Sequence, residues 1–224
     1  MNKYGLALHT SSPELGLAIS NFTGDSRCQT WELGRSLSTL LHDHLAEFIQ
    51  PQTWADLAFI AVAKGPGGFT GTRIGIVTAR TIAQQLNIPL FAISTLAAVA
   101  WSTQQQERGS NVEQASRLSA LAAQTGMIAV QMPAQRGQVF AAVYQITVTG
   151  SGLTTLLPDT VMTPEAWQQT LADWATPYQL IQAPTNLGAS VSSILELAYL
   201  DWQQGKRPDW LDALPFYGQH PVDV

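Results

Sequence analysis

The chain has 224 residues, of which 46% are hydrophobic and only 12% are charged. This composition excludes global disorder, because disordered chains are poor in apolar residues and rich in charge. With 11 basic and 16 acidic residues the net charge is −5, which disfavours direct binding to a nucleic-acid backbone. The single cysteine, Cys28, excludes an internal disulfide.

The amino-terminal segment turns polar after Leu8, so we expect neither a signal peptide nor a membrane anchor. Apolar runs stay short of the ~18 residues of a membrane span. We therefore expect a soluble, cytoplasmic protein without membrane contact. The low charge further suggests that another chain covers part of the surface.

The first half of the chain predicts a hairpin followed by alternating strands and helices. Alternating Tyr4, Leu6 and Leu8 indicate a first strand, and the continuous apolar run Leu57–Ala63 is typical of a strand buried on both faces. Such an order predicts an α/β layer. The predicted strands are 4–8, 15–20, 28–33, 57–63 and 90–93, and the predicted helices are 36–49, capped by Ser36, and 72–86.

The polar run Thr103–Asn111 is typical of a linker, and we place the end of a first lobe near residue 105. The predicted domains are thus 1–105 and 106–224. The second is expected to hold helices at 112–125, from Pro164 and at 189–203, strands at 127–131, 138–148 and 178–182, and an irregular tail at 208–224.

A glycine-rich loop, GPGGFTG, separates the fourth predicted strand from the following helix. Its glycines are Gly65, Gly67, Gly68 and Gly71. Such a loop either cradles an anion on free N–H groups or forms a tight turn for packing. The Walker ending Gly-Lys-Ser/Thr and the spacing Gly-x-Gly-x-x-Gly are both absent from it.

The helix after this loop carries small residues at every fourth position: Gly71, Gly75, Ala79 and Ala83. Since apolar residues occupy most of its circumference, we expect burial on more than one side. The small-residue stripe contacts either a helix of a partner chain or the protein's own domain. Arg73 lies near the amino-terminal end, which is unfavourable for a cation, so we expect it to have an acidic or carbonyl partner.

The triplet His42-Asp43-His44 invites interpretation as a metal site. Positions i and i+2 of a helix face different directions, however, so the two imidazoles are poorly placed to bind one ion. The sequence also lacks Gly-x-Ser-x-Gly and His-Glu-x-x-His. We therefore expect neither a metal site nor a catalytic nucleophile.

The motif Gly-Pro-Gly-x-Phe-Thr-Gly-x-Arg-x-Gly within Leu57–Gly75 resembles the TsaB (YeaZ) family, as do Thr10-Ser11-Ser12 and Ile93–Ala100. Weaker similarity occurs at Arg136–Tyr144 and Pro215–Tyr217. The resemblance is dense over about the first 105 residues and thin thereafter. It implies an actin-like ATPase (ASKHA) fold: two RNase H-like lobes with mixed sheets flanked by helices.

The resemblance also implies a function. Subunits of this family support the synthesis of threonylcarbamoyladenosine (t6A) at position 37 of tRNA, without catalysis or a cofactor of their own. Their partners are a TsaD-type transferase and a TsaE-type ATPase, with tRNA bound only indirectly. The transferase contact implied here uses the helices 36–49 and 72–86. The candidate partner-binding residues are Leu41, His44, Gly71, Arg73, Gly75, Ala79 and Ala83. A homodimer through the same face is expected when the partner is absent.

Departures from the wider superfamily bear on the alternatives. The first strand of its active kinases ends in an aspartate that helps to place Mg²⁺, whereas His9 stands here, and Mg²⁺ prefers hard oxygen ligands. This weighs against the alternative function, a Mg-ATP-dependent small-molecule phosphotransferase. A metallopeptidase, the glycoprotease label long attached to the wider family, lacks a metal motif here.

Overall fold

The computed structural model describes residues 3–109, 126–147 and 152–218. Contacts between Cα atoms divide these residues into two compact units. The first consists of residues 3–98 and 185–217, and the second of the described residues from 99 to 184 together with Gly218. The strands are β1 (Tyr4–His9), β2 (Glu14–Ser20), β3 (Ser26–Glu32), β4 (Leu57–Ala63), β5 (Leu90–Ile93), β6 (Met127–Pro133), β7 (Val139–Ile146), β8 (Leu153–Met162) and β9 (Gln179–Gln182). The described helices are α1 (Leu37–Phe48), α2 (Phe69–Leu86), α3 (Thr95–Gly109), α4 (Pro164–Ala172) and α5 (Val191–Gln203).

The first unit is built on a mixed five-stranded sheet of order β3-β2-β1-β4-β5. The β1–β2 and β2–β3 pairs are antiparallel, whereas β4 lies parallel to both β1 and β5. β4 is buried along almost its whole length, as its continuous apolar sequence predicts.

Helices cover both faces of this sheet. Because side chains of a strand alternate between faces, Leu6 and Leu8 of β1 enter one core and Ala7 enters the other. The first core also contains buried residues of α1 and α2. α5 supplies the second core with Val191, Ile194, Leu195 and Ala198.

The second unit repeats the strand order of the first. Its sheet runs β8-β7-β6-β9, with antiparallel β6–β7 and β7–β8 pairs and a parallel β6–β9 pair. This is the arrangement of β3-β2-β1-β4. Trp167 and Leu171 of α4 pack on Met127, Ala129 and Val143. Two lobes of related topology are therefore confirmed.

The sequence signals for the ends of helices agree with the structure at α4 but not at α1 or at the start of α2. Thr163 caps α4, accepting a hydrogen bond from the Ala166 N–H with Pro164 at the first helical position. Ser36 makes no side-chain cap, because the chain enters α1 through a 3₁₀ turn, Gly34–Ser36. α2 begins at Phe69, three residues before the predicted start, and its last residue, Leu86, is followed by Asn87 in the left-handed conformation.

Two segments differ from the sequence expectation. Thr103 to Gly109 of the predicted linker are helical, since they continue α3. β8 was not predicted, and it is an edge strand whose pairing with β7 is irregular around Pro158. The predicted helix 112–125 lies outside the described residues.

Residues 185–217 were assigned to the second domain on sequence. In the structure they belong to the first unit, because the apolar side of α5 packs on β1, β2 and β4. The lobe boundary near residue 105 stays a prediction.

Candidate functional site

The glycine-rich loop lies against the end of β1. The Gly68 N–H donates to the Ser11 carbonyl oxygen at 2.7 Å, and a Cβ on Gly67 would overlap that same oxygen. Gly65 has a φ of +96° and leaves no room for a side chain beside the Phe216 carbonyl oxygen. These contacts support the tight-turn interpretation of the loop.

The small-residue stripe of α2 faces the protein's own sheet. Thr10 Oγ1 donates to the Gly71 carbonyl oxygen at 2.8 Å, and a Cβ on Gly71 or Gly75 would overlap Thr10. Ala79 and Ala83 are fully buried in the core of the first unit. Of the two alternatives left open by the sequence, packing within the domain is therefore the one observed.

The candidate partner-binding residues of α1 also make contacts within the chain. Leu41 is fully buried in the same core. His44 stacks on Trp31 with ring centroids 4.7 Å apart, whereas His42 lies on a different side of the helix and lines a groove. The two imidazoles thus diverge, as their i, i+2 spacing predicts.

This groove lies between α1 and α2 and has a volume of about 540 Å³. Its lining is mostly apolar, and Leu45, Ile74 and Ile82 also pack against the core of the first unit. Val77 is 55% exposed, a high value for a valine. We call this surface the α1–α2 groove; it is lined by Ser38, His42, Leu45, Trp54, Thr70, Arg73, Ile74, Val77, Thr78, Thr81 and Ile82.

Arg73 alone of the seven candidate partner-binding residues lines the α1–α2 groove. The other groove residues were not predicted, because the predicted contact surface was the small-residue stripe. The missed signal is the opposite side of the same helix, where Thr70, Ile74, Val77 and Thr81 recur at helical spacing. Once the small residues face the sheet, this side must face outward.

His9 ends β1 and is fully buried. Burial lowers the pKa of its imidazole to about 4, so the ring is neutral near pH 7. Neither ring nitrogen has a hydrogen-bond partner within the described chain, and the same holds for the buried Ser11 hydroxyl. A neutral imidazole beside hydroxyl groups does not fit Mg²⁺, which prefers carboxylate and water oxygens.

Among the residues that the structure describes, no three His, Cys, Asp or Glu side chains come together as metal ligands.

Within residues 3–109, 126–147 and 152–218, no helix combines the length and the apolar character needed to cross a membrane.

Comparison with known proteins identifies relatives in one family. The family model described as "TsaD: tRNA N6-adenosine threonylcarbamoyltransferase" matches residues 36–171. The tRNA threonylcarbamoyladenosine biosynthesis protein TsaB of Bacillus subtilis (strain 168) is 32% identical over 132 residues, which is 59% of this chain and 49% of that protein. The protein of the same name from Buchnera aphidicola subsp. Schizaphis graminum is 50% identical over 48 residues, or 21% of this chain and 23% of that protein. The chain thus spans about half the length of the first relative and about a quarter of the second.

Solved structures match over nearly the whole chain. A crystal structure described as an uncharacterized protein with similarity to peptidase YEAZ from Pseudomonas aeruginosa has a TM-score of 0.73 at 20% identity, covering 97% of this chain and 100% of that one. YeaZ from Pseudomonas aeruginosa has a TM-score of 0.68 at 21% identity, with 96% and 99% covered. These likenesses confirm the expected α/β fold with two mixed sheets flanked by helices. Because the family model matches more than half of the chain and the curated relatives carry the name TsaB, the chain belongs to the TsaD-related family as a member of its TsaB (YeaZ) type.

Proposed function

We propose that this protein is a non-catalytic partner subunit in the synthesis of threonylcarbamoyladenosine in tRNA. It binds a TsaD-type transferase through the α1–α2 groove and supports that enzyme's action on adenosine 37. The observation that carries this proposal is an apolar groove open to solvent in the single chain, lined by the half-exposed Val77. Large exposed apolar surfaces of this kind mark sites of protein association.

Three further features support the proposal. The curated relatives are named for threonylcarbamoyladenosine biosynthesis. The neutral, buried His9 at the end of β1 supplies no negative charge to a metal-nucleotide complex. The net charge of −5 favours tRNA contact through partners over direct binding by this chain. A TsaE-type ATPase as third component and a cytoplasmic location complete the proposal.

The experiment is a binding titration with the TsaD-type protein of the same organism, followed by a tRNA modification assay. Val77→Gln places an amide in the groove while keeping a good helix former at the position. We expect about tenfold weaker binding, since the amide loses its water without gaining a partner. The thermal melt should stay near that of the unmodified protein, because Val77 is already 55% exposed.

Leu180→Gln is the matched control. Leu180 is also a half-exposed apolar residue, at 48%, but it belongs to the second unit and does not line the groove. Its substitution should leave transferase binding unchanged. Equal affinity of the Val77→Gln variant and the unmodified protein would contradict the groove as binding surface, and modification activity of the chain alone would contradict its accessory role.

A further inference from the structure

The described lining of the α1–α2 groove contains one charged side chain, that of Arg73, which has no role in the fold of the described residues. Arg73 is exposed, and it is the only Lys, Arg, Asp or Glu among the described residues that line the groove. It forms no salt bridge or hydrogen bond with any described residue. It is also the fifth residue of α2, near the helix end that disfavours a cation. Neither folding nor helix electrostatics therefore accounts for this arginine.

Two other arginines of the first unit differ from Arg73 in this respect. The Arg80 guanidinium, two turns further along α2, lies 6.0 Å from the ring centre of Trp210. Arg27 donates to the carbonyl oxygens of Phe48, Ile49 and Gln50 at the end of α1, at 2.8 to 3.0 Å. Both stabilise the folded unit, whereas Arg73 remains available to a partner.

The length of the groove suits a helix of about three turns. Its lining on α2 extends from Thr70 to Ile82, which is about 18 Å or three helical turns, and α1 forms the other wall from Ser38 to Leu45. An amphipathic helix inserts side chains into such a groove at positions i, i+3, i+4 and i+7.

We infer that the α1–α2 groove binds an amphipathic helix with an apolar face and a carboxylate that pairs with Arg73. This inference rests on the proposed function, in which the helix belongs to the transferase. A guanidinium binds a carboxylate through two parallel hydrogen bonds, so the pair fixes the direction and register of the bound helix. The apolar floor supplies contact area, and the charge pair supplies selectivity.

A second copy of the chain is a poorer occupant. A twofold contact presents the same patch from both sides, and the described lining of this patch contains Arg73 but no carboxylate. Self-pairing of the lining alone would bring two guanidinium groups together without a carboxylate. The expected homodimer is therefore the weaker complex, and Arg73 selects against it.

The test uses two synthetic helical peptides of about 16 residues, or about four turns. Both carry leucines at i, i+3, i+4 and i+7, and they differ only in a Glu or a Gln placed to meet Arg73. We expect the unmodified protein to bind the Glu peptide about fivefold more tightly at low salt. This preference should vanish in Arg73→Met, persist in Arg73→Lys, and shrink as salt is added.

Equal affinity for the two peptides, or binding of neither, overturns the inference. The same Arg73→Met variant is then titrated with the transferase, where about tenfold weaker binding is expected, and its self-association is measured by sedimentation and should not weaken. If the transferase fails to bind the unmodified protein while the Glu preference holds, the proposed function is wrong and the carboxylate site stands. If the transferase binds the unmodified protein and Arg73→Met equally, the carboxylate pairing with that partner is wrong and the proposed function stands.

Discussion

His9 makes the stability of the fold depend on pH. Its buried imidazole has a pKa of about 4, whereas the unfolded chain has the ordinary value near 6.5. The unfolded state therefore binds more protons between these values, and the free energy of unfolding falls as pH drops from 6.5 toward 4. The contribution is full above pH 6.5, and the loss amounts to at most about 3 kcal/mol.

His9→Gln removes this titration while keeping a neutral polar side chain. We expect urea denaturation midpoints of the variant to change less between pH 7.5 and pH 5 than those of the unmodified protein. The two proteins should converge toward the acid end of the range. An unchanged acid dependence in the variant would show that other groups govern it.

At the scale of the element, the small residues of α2 allow this helix to pack closely on the sheet of the first unit. Ala79 has no exposed surface and lies in the core of the first unit. Ala79→Arg forces a long charged side chain into this packing, so we expect a loss of several kcal/mol, about enough to unfold a domain of ordinary stability. The measurement is a thermal melt followed by circular dichroism.

Thr81→Arg is the control for this substitution. Thr81 is exposed on the same helix, and an arginine there reaches water. Its melt should stay near that of the unmodified protein. A near-native melt of Ala79→Arg would mean that the small-residue stripe is not packed on the sheet.

The elements differ in how far the sequence predicts them. β4 and β5 were predicted to the residue, because a short apolar run ended by turn residues permits little else. β8 was missed because Pro158 and Asp159 are rare in strands, and only its irregular pairing with β7 at the sheet edge accommodates them. Tertiary pairing there overrides local preference.

The candidate site could be predicted only in part from the sequence. Periodicity predicts that α2 is buried on more than one side, but it does not say which side meets the protein's own sheet. The contact of Gly71 and Gly75 with Thr10 settles that choice, and it involves residues about 60 positions apart. Arg73 could be singled out from its place in the helix, whereas Ser38 and Trp54 join the groove only through tertiary structure.

At the scale of the whole molecule, the first unit is discontinuous in sequence. α5 covers the face of the sheet that contains Ala7, Phe59 and Phe91. A fragment of residues 1–105, the predicted first domain, therefore lacks the helix that covers one face of its sheet. We expect it to bind hydrophobic dyes and to show no cooperative melt.

Residues 1–98 joined to 185–217 by a flexible Gly/Ser linker form the matching fragment. This chain contains the whole first unit, so we expect a cooperative melt and near-ultraviolet circular dichroism from its packed tryptophans. Cooperative folding of the 1–105 fragment alone would contradict the assignment of α5 to the first core.

Because α5 is far from the first sheet in sequence, the first unit can be completed only late in synthesis. The strands of the first sheet are made early, yet about 100 residues separate Phe91 from the helix that covers it. At ordinary rates of synthesis this segment takes about 5 to 20 seconds to translate. During that interval an apolar sheet face of the nascent chain lacks the helix that covers it, so we expect chaperones to bind the chain until α5 emerges.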